Sequence, residues 1–453
     1  MDATIEKVAQ YVNNLRFEEL SAVCIQASKS RIMDSIGCAL GSVGAEPVNI
    51  SKFIAQRAPV SKGACLLGGS QKVLPELAAF SNGVMIRYLD GNDTFPGGGG
   101  HPSDVIAPTL AMAQYVKADG KALITATVAA YEIYQAFFRG GCMRDKGLDH
   151  VFYTAVASAV AAGKLLKLSE HKLKNAISLA ITPNIALHAT RRGDLSMWKG
   201  VAAPNAARNG VFAALLAEKG MTGPENAIEG SHGLRELLGK FDLGSLANKG
   251  DIFAIENSNL KFFLSEYHSQ SPIAHALELS HEVLPESIKK ITIHTYWFAW
   301  SEIGSEPEKW HPTTRESADH SLPFIVAAVI RERAFSDAIF GGDRLNDPEI
   351  YKLADRVEVV EDPSFTAMFS KKIPCRVVIE LNDGRIISRE SEYPRGHVNN
   401  PMTVEEIEGK FKTLASRVIS ADKTSVALKL LRSMEYWSGL DELFQAIESP
   451  LLN

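Results

Sequence analysis

The stretch from Tyr88 to Pro108, YLDGNDTFPGGGGHPSDVIAP, contains side chains that suit proton transfer. Asp90, Thr94 and His101 lie close to four consecutive glycines at positions 97–100. Glycine adopts positive φ readily and lets the backbone approach a ligand closely, and carboxylates beside an imidazole can serve general acid–base catalysis. The alternative is a polar loop between two helices, which such clusters usually form. Other clusters of charged residues and histidines along the chain are needed to choose between a catalytic loop and a simple polar loop.

Two further segments place basic side chains among apolar neighbours. His150, in GLDHVFY, precedes an apolar helical pattern and either belongs to a site or simply starts the helix. The segment TRRGDLSMWKGVAAPNAAR contains Arg192, Lys199 and Arg208, with Arg191 beside the first of them. Cations are rarely buried without a partner, so these side chains either face solvent or bind an anion. Because Arg208 stands in an alanine-rich helical pattern, we expect it to have a buried anionic partner.

A fourth cluster lies in KFFLSEYHSQSPIAH, from Lys261 to His275. Lys261 adjoins two phenylalanines, and His268 follows a tyrosine. The helical patterns give way to strand patterns soon after this segment, so we interpret it as a domain junction. Clefts between domains are favoured ligand sites. The alternative is a hinge whose charges face water.

Together these side chains suit a small substrate with several carboxylates. Arginine and lysine would bind the carboxylates, while histidine and aspartate would move protons. Nearby cations would also stabilise the enediolate that develops when the carbon beside a carboxylate loses its proton. No GxGxxG follows a strand, and the chain has no Walker loop, GxSxG elbow or HExxH pair. We therefore expect a di- or tricarboxylate substrate and no metal site.

The overall composition is that of a globular protein large enough for two or three domains: 453 residues, 45% hydrophobic and 22% charged. A net charge of −5 gives no support for nucleic-acid or membrane-surface partners. The N-terminus does not read as a secretory signal, and no apolar run approaches the roughly 20 residues of a membrane span. We expect a cytoplasmic protein. The cysteines form no CxxC pair, which disfavours disulfides and thiolate metal sites; they are Cys24, Cys38, Cys65, Cys142 and Cys375.

Residues 1 to about 260 show apolar spacing typical of helices, with almost no strand periodicity. The predicted helices include Ile5–Phe17, Ser28–Leu40, Lys121–Phe138, Tyr153–Leu166, Leu173–Ile181 and Ala202–Lys219. An all-helical domain is therefore predicted for this part of the chain.

The character changes near residue 285, where strands are predicted over Ile288–Tyr296 and Arg356–Val360. A hairpin is predicted over Cys375–Arg389, around Asn-Asp-Gly at positions 382–384. A helix is expected over Glu316–Glu332, capped by Ser317 or Asp319, and a shorter one from Asp347 and Pro348 onward. Thr403 and Glu406 predict a capping box for the helix that follows Pro401. The predicted fold class is mainly α: a helical domain of residues 1–265 plus 400–453, with an α+β lid domain, 266–399, inserted in it.

Several motifs follow one another along nearly the whole chain: YLDGNDTFPGGGGHPSD, GLDHVFYTAVASAVAAGKLL, ITPNIALHATRRGDLSMWKG with NAARNG, LKFFLSEYHSQSP, ADHSLPF and YPRGHVNNP. Together they resemble the MmgE/PrpD family, which includes 2-methylcitrate dehydratases, cis-aconitate decarboxylases and an iminodisuccinate epimerase. The SMWKG and GLDH segments are most similar to bacterial MmgE-type dehydratases. The resemblance implies a helical domain with an inserted lid, a homodimer, and catalysis with no cofactor.

The resemblance also assigns roles to particular positions. Asp90, Thr94 and His101 match the DxxDTxxxxxxHP loop of the family, and His150 matches its active-site histidine. Lys261 and His268 match a Lys…His pair, with two more residues between them than in the decarboxylases. Departures are Arg208, where decarboxylases have lysine, and Phe324, where many relatives have a tyrosine hydroxyl.

The expected activity is dehydration of 2-methylcitrate, or a related tricarboxylate, to 2-methyl-cis-aconitate. The predicted catalytic residues are His101, His150, His268 and Asp90, and the predicted substrate-binding residues are Thr94, Arg192, Lys199, Arg208 and Lys261. The residues do not say which histidine is the acid and which the base. Decarboxylation of cis-aconitate, epimerisation of a dicarboxylic acid such as iminodisuccinate, and a non-catalytic scaffold remain as alternatives.

Overall fold

The computed structural model describes residues 2–98, 100–141 and 143–450. Gly99 of the glycine run and Cys142 lie outside the described residues. The chain is 57% helical and 9% strand, which confirms the predicted mainly-α class. The helices before residue 260 are α1 (Ala3–Asn14), α2 (Ala22–Gly41), α3 (Glu46–Gln56), α4 (Pro75–Tyr88), α5 (Ile106–Val116), α6 (Gly120–Gly140), α7 (Val151–Leu165), α8 (Glu170–Ile181), α9 (Trp198–Glu218) and α10 (Leu234–Leu238).

The later helices are shorter and alternate with strands. They are α11 (Gln270–Ser280), α12 (Trp297–Ile303), α13 (Arg315–Ala318), α14 (Leu322–Glu332), α15 (Pro348–Ala354), α16 (Pro363–Met368), α17 (Val404–Ala415), α18 (Ala421–Arg432) and α19 (Asp441–Ala446). The strands are β1 (Pro59–Cys65), β2 (Lys72–Val73), β3 (Ile288–Thr295), β4 (Val357–Glu361), β5 (Cys375–Leu381) and β6 (Ile386–Ser391).

The apolar side chains form two main cores. The larger core runs from Ile5 to Leu260 and also takes in Met402 to Ile447, so α17–α19 pack with the N-terminal helices. The second core runs from Ile273 to Leu381 and includes the inner faces of α11, α14 and the sheet. The predicted domain limits at 265/266 and 399/400 stay a prediction.

Small residues set the helix spacing in the larger core. Helix α7 packs against α6, α8 and α9, and a Cβ at Gly210 of α9 would collide with the backbone oxygen of Ala155 on α7. Glycine at this position therefore allows the two helices to approach closely. The packing fixes the N-terminal end of α7, where His150 lies.

The four-stranded sheet has the strand order β4-β3-β5-β6, with β3 parallel to β4 and antiparallel to β5. The predicted hairpin between β5 and β6 is confirmed, and Gly384 has a φ of +86° at its turn. Pro348 starts α15 as predicted. Thr403 and Glu406 form the predicted capping box of α17.

Two expectations about secondary structure were wrong. The antiparallel pair β1–β2 interrupts the helical half, where almost no strand pattern was expected. The predicted helix Glu316–Glu332 is broken between α13 and α14, and Ser321, rather than Ser317 or Asp319, caps α14. Pro323 explains the break, because proline has no N–H to continue the helical hydrogen bonds.

The helices of the described part of the chain include none that is both long and apolar enough to cross a membrane.

Candidate active site

A cavity of about 200 Å³ lies where residues before position 200 meet residues after position 260. Thr94, His101, His150 and His268, all predicted from the sequence, line it. The charged and imidazole side chains that also line it are Arg87, Arg144, His188, Arg191, Glu266, Glu302, Lys309 and His320. The predicted convergence of distant segments on one pocket is thus observed for these four residues.

The glycine loop brings His101 to the cavity. The Thr94 hydroxyl donates to the backbone oxygen of Gly100 at 2.9 Å. Gly100 has a φ of +71°, and a Cβ there would collide with the Tyr134 hydroxyl and lie 2.5 Å from Cδ2 of His150. Only glycine allows this close approach, and it places the His101 and His150 rings 5.8 Å apart.

The hydrogen bond of His101 fixes its neutral tautomer. Its Nδ1 lies 2.8 Å from the backbone oxygen of Asp93. A carbonyl oxygen can only accept, so Nδ1 carries the hydrogen and Nε2 keeps its lone pair.

His150, Asp149 and Arg191 contact one another in sequence. Nδ1 of His150 lies 3.0 Å from Oδ1 of Asp149, and Oδ2 of Asp149 accepts from Nε of Arg191 at 3.0 Å. Although burial works against it, Arg191 and His150 hold the pKa of Asp149 below its ordinary value. The ionised carboxylate, 3.0 Å away, favours the tautomer with its hydrogen on Nδ1, so Nε2 carries the free lone pair. This Nε2 is buried and has no hydrogen-bond partner among the described residues.

Both imidazoles, of His101 and of His150, are neutral at physiological pH. Burial, together with Arg87 and Lys261, lowers the pKa of His101 well below its usual range. Burial, reinforced by Arg191, lowers the pKa of His150 to about 4, although Asp149 opposes the shift. At neutral pH either Nε2 can therefore accept a proton.

His268 lies in a different part of the wall, among aromatic rings. Its Nδ1 is hydrogen-bonded to the Tyr296 hydroxyl, and its Nε2 lies 3.7 Å from Oε1 of Glu266. Burial, with Lys261 and Arg144, lowers its pKa to about 3. His268 is therefore also neutral at physiological pH.

Asp90 was predicted to be catalytic, but it lies in a buried network behind the cavity. Its carboxylate accepts from Arg87 at 3.0 Å and from Lys261 at 3.0 Å, and lies 3.4 Å from the Lys199 ammonium. Although burial works against it, Lys199, Lys261 and Arg87 hold the pKa of Asp90 well below its usual range. Lys199 also pairs with Asp319 at 3.1 Å. Asp90 acts on the site through Arg87, which lines the cavity.

The structure corrects the expected placement of the two lysines. Lys199 and Lys261 were predicted to bind substrate, but both are buried and neither lines the cavity. Their ammonium groups are held by protein carboxylates, and Lys261 also donates to the backbone oxygen of Asp90 at 2.7 Å. The geometry supports a structural role for both.

Arg192 and Arg208 were also predicted to bind substrate, and neither lines the cavity. The Arg192 side chain is 50% exposed and lies 3.6 Å from Glu306. Arg208 donates to the side-chain oxygen of Asn209 at 2.9 Å. The expectation of a buried anionic partner for Arg208 was wrong, because this half-buried guanidinium bonds to a neutral amide.

Arg191 reaches the cavity where Arg192 does not. Its Nε and Nη1 are bound to Asp149 and to the backbone oxygen of Lys199. Its Nη2 is buried with no hydrogen-bond partner among the described residues, so one donor remains for a ligand. The pair RR in TRRGD was a signal for this site, but it did not reveal which arginine points inward.

The lining histidine His320 was missed because of the break between α13 and α14. It lies in the break beside Asp319, and its Nδ1 contacts the carboxylate of that residue. In the continuous helix that was predicted, His320 would have been an ordinary helical residue with nothing to mark it as part of a site. The motif ADHSLPF, in which Pro323 follows, was the available signal.

One cluster of the described residues has the composition of a metal site: Asp90, Asp319 and His320 offer ligand atoms within 4.8 Å of one another. Lys199 already lies within ion-pair distance of both carboxylates. A divalent cation would have to displace this ammonium, so the charges present do not fit a metal ion.

Two family models match most of the chain. The sequence model of the MmgE/PrpD N-terminal domain matches residues 6–242, and that of the MmgE/PrpD C-terminal domain matches residues 263–436. The chain belongs to the MmgE/PrpD family. Among the relatives of this family member, the 2-methylcitrate dehydratases of Escherichia coli K12 and of Cupriavidus necator are each 28% identical, over 92% of this chain and 90% of theirs. An alkylcitrate dehydratase of a fungal species is 28% identical, over 91% of this chain and 87% of its own.

Phe324, where the resemblance implied a tyrosine in many relatives, is fully buried in the second core. Its ring lies 5.8 Å from that of Tyr351, and it does not line the cavity. The absent hydroxyl therefore does not change the wall of this cavity.

Proposed function

We propose that this protein is a hydro-lyase that removes water from 2-methylcitrate or a closely related alkylcitrate. The observation that carries the proposal is the cavity itself, where Nε2 of the neutral His150 and Nη2 of Arg191 have no hydrogen-bond partner among the described residues. Proton abstraction beside a carboxylate needs these two features together. The dehydratase names of the relatives, which match along nearly the whole chain, agree with this chemistry.

The substrate carboxylates would bind to Arg191, Arg87 and Lys309. Arg191 offers its unpartnered Nη2, and Arg87 is oriented by Asp90 and by Asp104, which lies 3.4 Å from its Nε. Lys309 is buried and 3.7 Å from Glu306. Charge-assisted hydrogen bonds from such groups are about twice as strong as neutral ones.

His150 would remove the proton from the carbon beside a carboxylate. Its Nε2 has the lone pair, and Asp149 would stabilise the imidazolium that forms, since its carboxylate lies 3.0 Å from Nδ1. A positioned base of this kind contributes about 10²–10⁴-fold to the rate. The adjacent His101 would support the same region of substrate, and the proton for the departing hydroxyl would come from the part of the wall near His268.

The negative charge of a bound substrate would raise the basicity of the cavity histidines. Burial, together with the nearby cations, keeps the imidazoles neutral, whereas a bound tricarboxylate adds negative charge beside them. An opposite charge within about 4–6 Å favours the charged form of a group. The bound substrate would therefore raise the pKa of His150 and make it a stronger base.

The test is incubation of the purified protein with a panel of di- and tricarboxylates, read by mass spectrometry. We expect loss of water from 2-methylcitrate or a related alkylcitrate, and a decrease of about 10²-fold or more in His150→Ala. The matched control is His281→Ala, which removes an exposed histidine at the end of α11. Loss of carbon dioxide would indicate a decarboxylase instead, and solvent deuterium in substrate without net loss of water would indicate an epimerase.

A further inference from the structure

Glu266 is a carboxyl group in the cavity wall for which the reaction described above has no role. It precedes the 3-10 turn Tyr267–Ser269, and its Oε2 accepts the backbone N–H of His268 at 2.6 Å. Its Oε1 accepts no hydrogen bond from the described residues and lies 3.7 Å from Nε2 of His268. One oxygen is thus anchored, and the other is available to a ligand.

The surroundings of Glu266 favour the neutral carboxylic acid. Its side chain is 13% exposed, and no lysine or arginine of the described residues forms an ion pair with it. Burial raises its pKa above the ordinary value, against the opposing effects of His320 and Lys261. A polyanionic substrate beside it would favour the protonated form further, because like charges disfavour ionisation.

The neighbouring histidine is a poor source of the same proton. With a pKa of about 3, His268 is not an imidazolium at neutral pH. Its Nδ1 is also engaged by the Tyr296 hydroxyl. A neutral imidazole is a far weaker acid than a carboxylic acid, so the carboxyl group beside it is the better donor.

Resting on the proposed function, we propose that Glu266 is the general acid of the dehydration. His150 takes the proton from carbon through Nε2, and the electron pair of the C–H bond forms the C=C bond. The C–O bond breaks, and its oxygen leaves with the proton from the Glu266 carboxyl group as water. The enzyme is left with a His150 imidazolium and a Glu266 carboxylate, and solvent returns the proton from one to the other.

The structure makes this assignment geometrically consistent. Glu266 and His150 line one cavity but come from different segments, one after residue 260 and the other at the start of α7. An acid and a base on separate parts of the wall can act on adjacent carbons of one bound substrate. His268 is then a positioning residue, whose backbone N–H holds Oε2 of Glu266.

The test compares a hydroxyl leaving group with one that needs no proton. Wild type and Glu266→Gln are assayed with the alkylcitrate that wild type dehydrates and with its analogue carrying fluoride in place of the hydroxyl. Glutamine keeps the oxygen that accepts from His268 N–H but has no acidic proton. We expect dehydration to fall about 100-fold or more, while fluoride elimination stays within a few-fold of wild type.

Three additional measurements separate an acid from a structural residue. Glu266→Asp, which keeps a carboxyl group, should recover part of the dehydration rate. Glu278→Gln, an exposed position on α11 that pairs with Arg389, should match wild type with both substrates. Deuterium exchange at the carbon next to the carboxylate should survive in Glu266→Gln, because His150 is intact.

Each outcome decides the proposal. Wild-type dehydration by Glu266→Gln overturns the inference, and so does an equal loss with both leaving groups, which would show a structural role. Neither result affects the proposed function, because wild type still removes water. If wild type dehydrates no alkylcitrate, the proposed function fails and this inference with it.

Discussion

Removal of the Lys199 charge distinguishes a structural lysine from a substrate-binding one. The Lys199 ammonium lies 3.4 Å from the carboxylate of Asp90 and 3.1 Å from that of Asp319, and its side chain is 3% exposed. Lys199→Met keeps the length of the side chain and removes its charge. If the lysine is structural, this change should destabilise the fold more than it weakens substrate binding.

The expected size follows from the distances. At an effective dielectric constant of about 20, each of the two ion pairs corresponds to a gross attraction of about 5 kcal/mol. Desolvation offsets much of this, and removal of one partner of a buried pair typically costs about 3–5 kcal/mol. Asp90 keeps Arg87 and Lys261, and Asp319 keeps Arg315. We therefore expect about 3 kcal/mol, at the lower end of that range.

The assay is thermal unfolding, with KM measured in parallel. At an unfolding entropy of about 2.1 cal/mol/K per residue, a domain of about 320 residues shifts its Tm by about 1.5 °C per kcal/mol, so a decrease of about 4–5 °C is expected. Lys219→Met at the C-terminal end of α9 is the matched control, because its side chain is 79% exposed. The double variant Lys199→Met/Asp319→Asn should lose less than the sum of the single variants, by roughly 1–3 kcal/mol.

One result would refute this reasoning. If Lys199→Met unfolds at the wild-type temperature while KM rises tenfold or more, the ammonium binds substrate and the buried network is not what holds it. The double variant would then show no coupling between the two sites. The original sequence prediction for Lys199 would be restored.

Three other expectations follow from the cavity. Asp149→Asn should lower kcat by about 10²–10⁴-fold while the protein stays folded, because His150 loses the carboxylate that fixes its tautomer; an unchanged kcat would contradict the assigned base. Burial lowers the pKa of His150 in the folded protein from 6.5 to about 4. As pH falls, the unfolded chain therefore binds the proton before the folded protein does. The contribution of His150 to stability is thus present above pH 6.5 and lost as pH falls toward 4. In Tm measured against pH, His150→Gln should show a smaller decrease over that window than wild type. Gly98→Ala should lower both kcat and kcat/KM, since Gly98 has a φ of +79° and a Cβ there would collide with the Phe298 ring; wild-type kinetics would show that the loop tolerates displacement.

Local signals in the sequence predicted local structure well. The Asn-Asp-Gly turn, the Pro348 helix start and the Thr403 capping box were all found where predicted. Each depends on residues within three or four positions, whose φ preferences or side-chain hydrogen bonds act regardless of the rest of the fold. The β1–β2 pair was missed because PVSKGAC has no regular alternation of apolar and polar residues.

For the site, the histidines were predicted better than the lysines and arginines, and the difference has a physical reason. The histidines lie next to glycine-rich or helix-start segments, which place them at the ends of elements and therefore near a cavity. The charge of a lysine or arginine, in contrast, says that it needs an anion but not whether that anion is protein or substrate. Lys199 and Lys261 have protein carboxylates, and Arg208 has an amide.

The same pairing orients the cavity arginines before a ligand binds. Each arginine that would bind substrate has a carboxylate beside it: Asp149 for Arg191, and Asp90 for Arg87. The carboxylate uses some of the guanidinium donors and fixes the plane of the group, while the remaining donors face the ligand. It also offsets part of the positive charge, while burial and the remaining positive charge still lower the pKa of His101 and His150. A bound polyanion then meets donors that are already oriented, which is the arrangement that stabilises developing charge without reorganisation during the reaction.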